Sequence, residues 1–337
     1  MGAICLQKIK REKMDKKIVI SVVMLTYFHE NYIEQAIESV LEQDTNYFYE
    51  IQISDDASQD GTKKILEKYQ EKYPDIINVN YNLVNQGIST NLYQTLCRCN
   101  GKYITILSGD DYLIDKNKFQ EQVDFLEKHM EYEAISVCIE NRIDNSSIPY
   151  EYHPIPSFRN REITLDMFLK IDSFASSGIM MRNSLRTKEG KEYYSLMPKA
   201  SKKVDDFTFC ILLLNRGKVF NNDKFMVAHR VFPDTKDKHN YNSIFTRIQK
   251  YENTINNLNN LHAFFDGSLD LSKRYQKSLS YGMISGILAC DMSSILKIYK
   301  TIPENYRKSG LMLKSCAMLI PISFQHIKLK LKKVKKL

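Results

Sequence analysis

A chain of 337 residues with 43% hydrophobic and 26% charged side chains can hold one large domain plus an appendage, or two domains, and is too apolar for a disordered chain. Its net charge of +8 gathers at the ends, in Lys8, Lys10, Arg11, Lys13, Lys16 and Lys17 and again in Lys328, Lys330, Lys332, Lys333, Lys335 and Lys336. The seven cysteines are odd in number and lack a Cys-x-x-Cys spacing, so they read as reduced thiols and argue against a zinc site or a disulfide framework.

Residues 1–17 contain no sustained apolar run of the signal-peptide kind. The longest apolar stretch, 316–324, is too short for a spanning helix of ~20 residues. A cytoplasmic protein is the expectation, with residues 1–16 as a basic extension.

From residue 18 strand and helix alternate. Residues 18–24 (Ile-Val-Ile-Ser-Val-Val-Met) form a near-continuous apolar strand, the pattern of a strand covered on both faces. Ile33, Ala36, Ile37, Val40 and Leu41 then recur at helical spacing. Tyr49, Ile51 and Ile53 mark a second strand that ends in Ser54-Asp55-Asp56. A helix capped by Asp60 or Thr62 carries Ile65, Leu66 and Tyr69 and stops at Pro74. A third strand is predicted at 77–83, a short helix after Ser89, and a strand at 103–107. A helix through Phe119, Val123 and Leu126 and a strand at 134–139 follow. This alternation predicts an α/β fold, Rossmann-like, with a mostly parallel sheet flanked by helices.

Beyond Asn141 the pattern loosens into a Pro- and aromatic-rich loop at 145–161. A helix is predicted at 165–170, a strand at 178–181, and a helix at 205–215 stopped by Gly217. From Ser243 the chain reads as helical to its end. The expected organisation is 1–16 as extension, 17–242 as catalytic domain (halves 17–140 and 141–242), and 243–337 as a helical C-terminal region.

Two acidic pairs follow predicted strands, Asp55-Asp56 and Asp110-Asp111. In a doubly wound sheet the strand C-termini share one edge, where ligands bind at the switch in strand order. Adjacent carboxylates there repel one another and are costly to desolvate, and a divalent cation with oxygen ligands offsets both effects. A solvated Gly-Asp-Asp turn accommodates the same residues. The chain has neither Gly-x-x-x-x-Gly-Lys-Ser/Thr nor Gly-x-Gly-x-x-Gly, so a nucleotide diphosphate would be held through metal and not in a glycine cradle. Asp205-Asp206 opens a helix, where an acid caps backbone amides and is compatible with a base role.

The motifs together resemble family 2 glycosyltransferases of the GT-A fold over about residues 18–229. Val22-Val-Met-Leu-Thr-Tyr27 is similar to that family's first strand. Ser54-Asp-Asp-Ala-Ser-Gln-Asp-Gly-Thr62 matches its Asp-Asp-x-Ser-x-Asp-Gly-Thr signature. Asn85-Gln-Gly87, Asn91 and Gly101-Lys-Tyr-Ile precede Ser108-Gly-Asp-Asp111, which sits where the family carries Asp-x-Asp-Asp. Ser108 replaces the first acid of that motif. Leu25 and Phe28 stand where Pro and Asn are usual.

The resemblance implies an inverting transfer of a sugar from a nucleotide-diphosphate sugar, UDP-linked first among them, to a hydroxyl of a glycan or lipid-linked acceptor in cell-surface polysaccharide synthesis. It implies nucleotide contacts from Thr26, Tyr27, Glu30, Asp55, Asp56, Asn85, Asn91, Asp110 and Arg230. It further implies Mg²⁺ or Mn²⁺ on Asp110 and Asp111, and Asp206 as general base. The apolar stretch 311–324 with its lysine-rich end reads as an amphipathic tail for the inner face of the membrane, or as a helix packed on the domain. A sugar nucleotidyltransferase is the first alternative, although residues 25–30 lack its Gly-rich basic loop. A basic nucleic-acid-binding protein is the second, although no recognition motif accompanies the basic ends.

Overall fold

The computed structural model describes residues 17–143, 149–150, 160–170, 176–201, 206–231, 246–308, 310–312 and 314–315. The N-terminal extension, most of the aromatic loop, Asp205 and nearly all of the C-terminal tail lie outside the described residues. The chain divides into two compact units, Met1–His239 and Asn240–Leu337.

The first unit is built on one sheet. Strand β1 (Ile20–Thr26) pairs in parallel with β2 (Tyr49–Asp55) on one side and β4 (Tyr103–Ser108) on the other, and β3 (Ile77–Tyr81) lies parallel outside β2. The sheet order is β3-β2-β1-β4 and then β9-β6-β10-β5, with β9 at Met180–Arg182, β6 at Tyr132–Ile143, β10 at Lys218–Val231 and β5 at Tyr112–Leu113. Two short strands, β7 (Pro149–Tyr150) and β8 (Arg161–Ile163), pair with β6 and β10.

The parallel strands are apolar because both faces are covered. Helix α1 (Ile33–Leu41) buries Ile33, Ala36, Ile37 and Val40 completely, and each large one stabilises by about 1.5–3 kcal/mol. Helix α2 (Thr62–Lys72) buries Leu66 and Tyr69, and α3 (Ile88–Leu96) buries Leu92 and Leu96. Helix α4 (Lys118–Lys128) buries Phe119, Val123 and Leu126. Gly101 owes its place to space: a Cβ there would stand 2.6 Å from the Ser21 backbone nitrogen. Its own N–H donates to Ser21 Oγ (2.8 Å), which donates in turn to buried Glu50 (2.6 Å).

The second half of the sheet departs from the expected parallel pattern. β9 is antiparallel to both β4 and β6, and β5 to β10. Strand β10 was not anticipated from the sequence. Its polar middle, Asn221-Asn-Asp-Lys224, falls where the pairing with β6 shifts register between Asn221 and Phe225 and again before Val227. Bulges break the period of two on which strand recognition depends. Helix α5 (Leu165–Lys170) lies where expected. Helices α6 (Lys188–Tyr194) and α7 (Leu196–Ala200) were not anticipated; α8 (Asp206–Arg216) buries seven consecutive residues from Thr208 to Leu214.

In the second unit every described element is helical: α9 (Arg247–Phe264), α10 (Ser272–Leu288), α11 (Met292–Thr301) and α12 (Glu304–Lys308). Thr246 and Gln249 form a full capping box at the start of α9. No helix among the described residues is long and apolar enough to cross a membrane.

Candidate active site

The two acidic pairs flank the C-terminal end of β1. Thr26 is the register partner of Asp55, and Leu25 that of Ser108. The Asp56 N–H donates to the Thr26 carbonyl (3.0 Å) and the Gly109 N–H to the Leu25 carbonyl (2.8 Å). β2 and β4 are separated by one strand, so the pairs stand roughly 10 Å apart. The chain passes from β1 to β2 and β3 and then crosses to β4, which makes this edge the switch point.

The signature after β2 stitches the loop after β1. Successive N–H groups of Phe28, His29 and Glu30 donate to Ser58 Oγ (2.9 Å), Thr62 Oγ1 (3.0 Å) and Asp60 Oδ2 (3.1 Å). Glu30 returns the contact by accepting from the Gly61 N–H (2.6 Å). Phe28 and Ala57, one in each loop, hold positive φ angles of 59° and 67°, which cost energy for residues with a Cβ. Tyr27 stands edge-on to Phe28, with ring centroids 4.6 Å apart.

Asp55 and Asp56 are both buried and differ in their partners. Asp55 accepts from the Ser58 hydroxyl (2.5 Å) and N–H (3.2 Å). Burial raises its carboxyl above the usual range, the Ser58 hydrogen bonds oppose that, and the charges of Asp60 and Asp56 add to it. Asp56 accepts from Asn82 Nδ2 (2.8 Å) and from the N–H groups of Gln86 (2.8 Å) and Gly87 (3.1 Å), at the entry to α3. Asn85 is exposed and its side chain accepts from the Gly87 N–H (3.0 Å). Asn91 is buried and its oxygen accepts from Ser54 Oγ (2.6 Å) and Asn82 Nδ2 (3.1 Å).

The second pair divides in the same way. Asp111 is 1% exposed and both of its oxygens are engaged. Oδ1 meets His229 Nδ1 (3.0 Å) and accepts the Arg230 N–H (3.1 Å), while Oδ2 accepts from Ser177 Oγ (3.3 Å). Asp111 therefore ties β10 and the turn at Ser176–Gly178 to the end of β4. Burial raises its carboxyl, the neighbouring Asp110 charge raises it further, and His229 and the Arg230 amide oppose both.

Asp110 is more open, with its side chain 23% exposed. Its Oδ1 accepts from the Ser108 hydroxyl, and Oδ2 lies 3.9 Å from His29 Nε2. Burial works to raise its carboxyl, but His29, the Ser108 hydroxyl and His229 outweigh it and hold Asp110 low.

Arg230 is turned inward. Its guanidinium is buried between the rings of Tyr32 (5.0 Å) and Tyr112 (4.7 Å) and donates to the Asp110 carbonyl and to Gln35. Asp206 is an exposed residue at the start of α8, where its charge acts on His229. Partial burial lowers the His229 imidazole, but Asp111 at hydrogen-bond distance, with Asp110 and Asp206, lifts it to about 9. The Asp206 charge is the smallest of these influences on His229.

No cluster of three His, Cys, Asp or Glu side chains among the described residues is arranged to hold a metal ion. The donor set fits a hard cation that takes one carboxylate, Asp110, and completes its shell with diphosphate oxygens and water. Asp111 is the less available of the two carboxylates, because Oδ1 already takes two contacts and Oδ2 one. Two buried polar atoms near β1, Thr26 Oγ1 and His29 Nδ1, have no hydrogen-bond partner, the condition of groups that await a ligand. His29, Ser177, Tyr32, Tyr112 and Gln35 were not anticipated from the sequence. His29 lay within the loop next to Tyr27, whereas Ser177 falls in a segment without a motif.

The family model described as Glycosyl transferase family 2 matches residues 21–187. An uncharacterised protein of Mycobacterium bovis is 28% identical over 167 residues, 48% of this chain and 46% of that protein. A Bacillus subtilis protein provisionally named teichuronic acid biosynthesis glycosyltransferase TuaG is 36% identical over 110 residues, 33% of this chain and 42% of its own. The chain spans about half the length of these curated relatives. The crystal structure of S. aureus TarS 1–349 in complex with UDP-GlcNAc matches with a TM-score of 0.59 at 15% identity, over 92% of each chain. That likeness shows the fold, which is GT-A.

Proposed function

Since the chain belongs to glycosyl transferase family 2, we propose that it transfers a sugar from a nucleotide-diphosphate sugar to an acceptor hydroxyl, with inversion at the anomeric carbon. The observation that carries this reading is the pair of acidic clusters on either side of the β1 end, with Asp206 close enough to act on His229. The UDP-sugars are the donor class to try first, since the TarS crystal holds UDP-GlcNAc. The acceptor class, a glycan or lipid-linked glycan of a cell-surface polysaccharide, follows the naming of TuaG.

In this reading Thr26, Tyr27, Glu30, Asp55 and Asn85 line the base and ribose side, and Asp56 and Asn91 shape that side from beneath. Asp110 holds Mg²⁺ or Mn²⁺. When bound, that cation supplies Lewis-acid stabilisation of the diphosphate charge. Asp206 accepts the proton of the acceptor hydroxyl as its oxygen attacks the anomeric carbon from the face opposite the diphosphate. The bond between the anomeric carbon and the diphosphate oxygen breaks, and its electron pair leaves with the nucleotide. Asp111 fixes His229 and β10, and Arg230 fixes the Asp110 main chain.

A cytoplasmic setting at the inner membrane face, with the tail 311–337 as the contact, completes the proposal. The test is a screen of UDP-, GDP- and dTDP-sugars with Mg²⁺ or Mn²⁺, scored by release of free nucleotide. Asp206→Asn is expected to keep nucleotide binding and to lose about 10²–10⁴ in turnover. No release from any donor would overturn the activity, and near-normal turnover in Asp206→Asn would remove the base.

A further inference from the structure

The helical unit carries sixteen lysines and arginines against five acids, a net +11, while residues 1–239 sum to −3. Within it the connection between α10 and α11 is three residues long, and its surroundings are unusually apolar. Ile287, Leu288, Ala289 and Cys290 form a run of four exposed residues, with Ile287 59% and Leu288 62% exposed. Leu296, 46% exposed, follows on α11. Tight connections between helices normally carry polar or glycine residues. Four successive exposed residues without a charge, at the end of α10 and in the connection, concentrate apolar surface at this turn instead of scattering it singly.

The tip is a built feature and not a loose end. The Asp291 N–H donates to the Gly286 carbonyl (2.9 Å) and the Cys290 N–H to the Ile287 carbonyl (3.2 Å), the two bonds of a Schellman motif. Cys290 occupies its left-handed position (φ 53°), where glycine or asparagine is favoured. Gly286 lets α11 approach so closely that a Cβ would lie 2.5 Å from Ile295. Asp291, the acid at the tip, is turned back as the N-cap of α11, accepting from the Ser294 N–H (3.1 Å) and Ser293 Oγ (2.9 Å).

Along α10 the chemistry changes in order. Lys277, Tyr281 (49% exposed) and Leu288 share one face at helical spacing. Tyr281 stands about 10 Å from Leu288 along the axis and Lys277 about 16 Å. On α11 the exposed Lys297 and Lys300 flank and follow Leu296. An apolar tip, an aromatic one headgroup depth behind it and lysines beyond is the order of groups that suits a bilayer interface.

We infer that the α10–α11 tip, through Ile287, Leu288 and Leu296, docks this chain on an anionic lipid surface. The occupant is a lipid surface because the described residues of the unit carry ten lysines and arginines against five acids, with Lys277, Lys297 and Lys300 on the two helices that meet at the apolar tip, a combination that anionic headgroups over acyl chains complement. This contact is separate from the tail and does not depend on the transfer reaction.

The test is co-sedimentation of the full chain with vesicles of phosphatidylcholine, with and without about one-third phosphatidylglycerol. Binding is expected only to the anionic vesicles and to weaken with salt. The double variant Ile287→Ser/Leu288→Ser should bind about tenfold more weakly or worse. Circular dichroism and melting temperature verify that it folds. The variant Lys332→Gln/Lys333→Gln/Lys335→Gln/Lys336→Gln separates the tail from the tip. If that tail variant abolishes binding while the tip variant binds as the parent, the inference is overturned. It is overturned equally if the parent ignores anionic vesicles at low salt. It also falls if the tip variant only dissolves a self-associated dimer and leaves vesicle binding unchanged.

Discussion

Asp110 and Asp111 are neighbours in sequence with different expected phenotypes, and Asp111→Asn is the sharper perturbation. The carboxylate meets three partners, His229 Nδ1 at 3.0 Å, the Arg230 N–H at 3.1 Å and Ser177 Oγ at 3.3 Å. An asparagine keeps one acceptor oxygen and turns an amide NH₂ toward the donors that remain. The His229 and Arg230 contacts, both on Oδ1, lose their charged acceptor, at up to about 1.5–3 kcal/mol each. Relief of the repulsion from Asp110 returns part of this, so the net loss is about 3 kcal/mol. For a unit of this size that lowers Tm by about 6–12 °C.

Asp110→Asn removes a partly open charge that His29, the Ser108 hydroxyl and His229 favour and that Asp111 opposes, so its Tm should fall by less than that of Asp111→Asn. Its Mg²⁺-dependent UDP binding should vanish. Differential scanning fluorimetry with calorimetric titration of UDP, with and without Mg²⁺, reads both quantities. The reasoning fails if Asp111→Asn melts like the parent yet loses metal-dependent binding, since Asp111 would then be the ligand.

Three further outcomes follow from other positions. Lys118 is fully buried, donates to Thr105 Oγ1 (2.9 Å) and Gln122 Oε1 (2.8 Å), and is lowered by burial to about 7. Between pH 7 and its ordinary value near 10.5 the unfolded chain holds a proton that the folded one has released, so stability rises with pH over that window, by on the order of 5 kcal/mol at the limit. Denaturant titrations of Lys118→Met should lack this rise and show a gain at pH 7; parallel curves for the two proteins would refute it. Asp60→Ala removes the acceptors of the Glu30 and Thr62 N–H groups and should cost about 1–2 kcal/mol. Amide exchange at residues 28–30 should quicken and donor KM rise, and unchanged exchange there would sink the stitching role. Gly101→Ala drives a methyl into the β1 backbone and should cost about 2–3 kcal/mol in denaturant melts, a cost that native-like stability would disprove.

Much of the first half of the fold was legible because its strands are apolar on both faces and its helices keep a clean helical period. Ile20–Thr26 and Ile33–Leu41 could be read from periodicity alone. β10 could not, because Asn221 to Lys224 falls between register shifts and mixes the two faces. The antiparallel β9 was also beyond reach, since three residues carry no sign of direction.

The same division holds for the candidate site. The chain by itself determined which residue types gather at the switch point, since a motif that follows a buried strand must lie at that strand's end. Ser58, Asp60 and Thr62 could be recognised as a signature, but only the folded chain reveals that they take up three successive N–H groups of the loop after β1. Tertiary structure decided how the acids differ, because contacts from β10 and from the turn at Ser176–Gly178, distant in sequence, close over Asp111 and leave Asp110 open. Adjacent identical residues share a local sequence, and only the partners brought by the rest of the chain make their environments unlike.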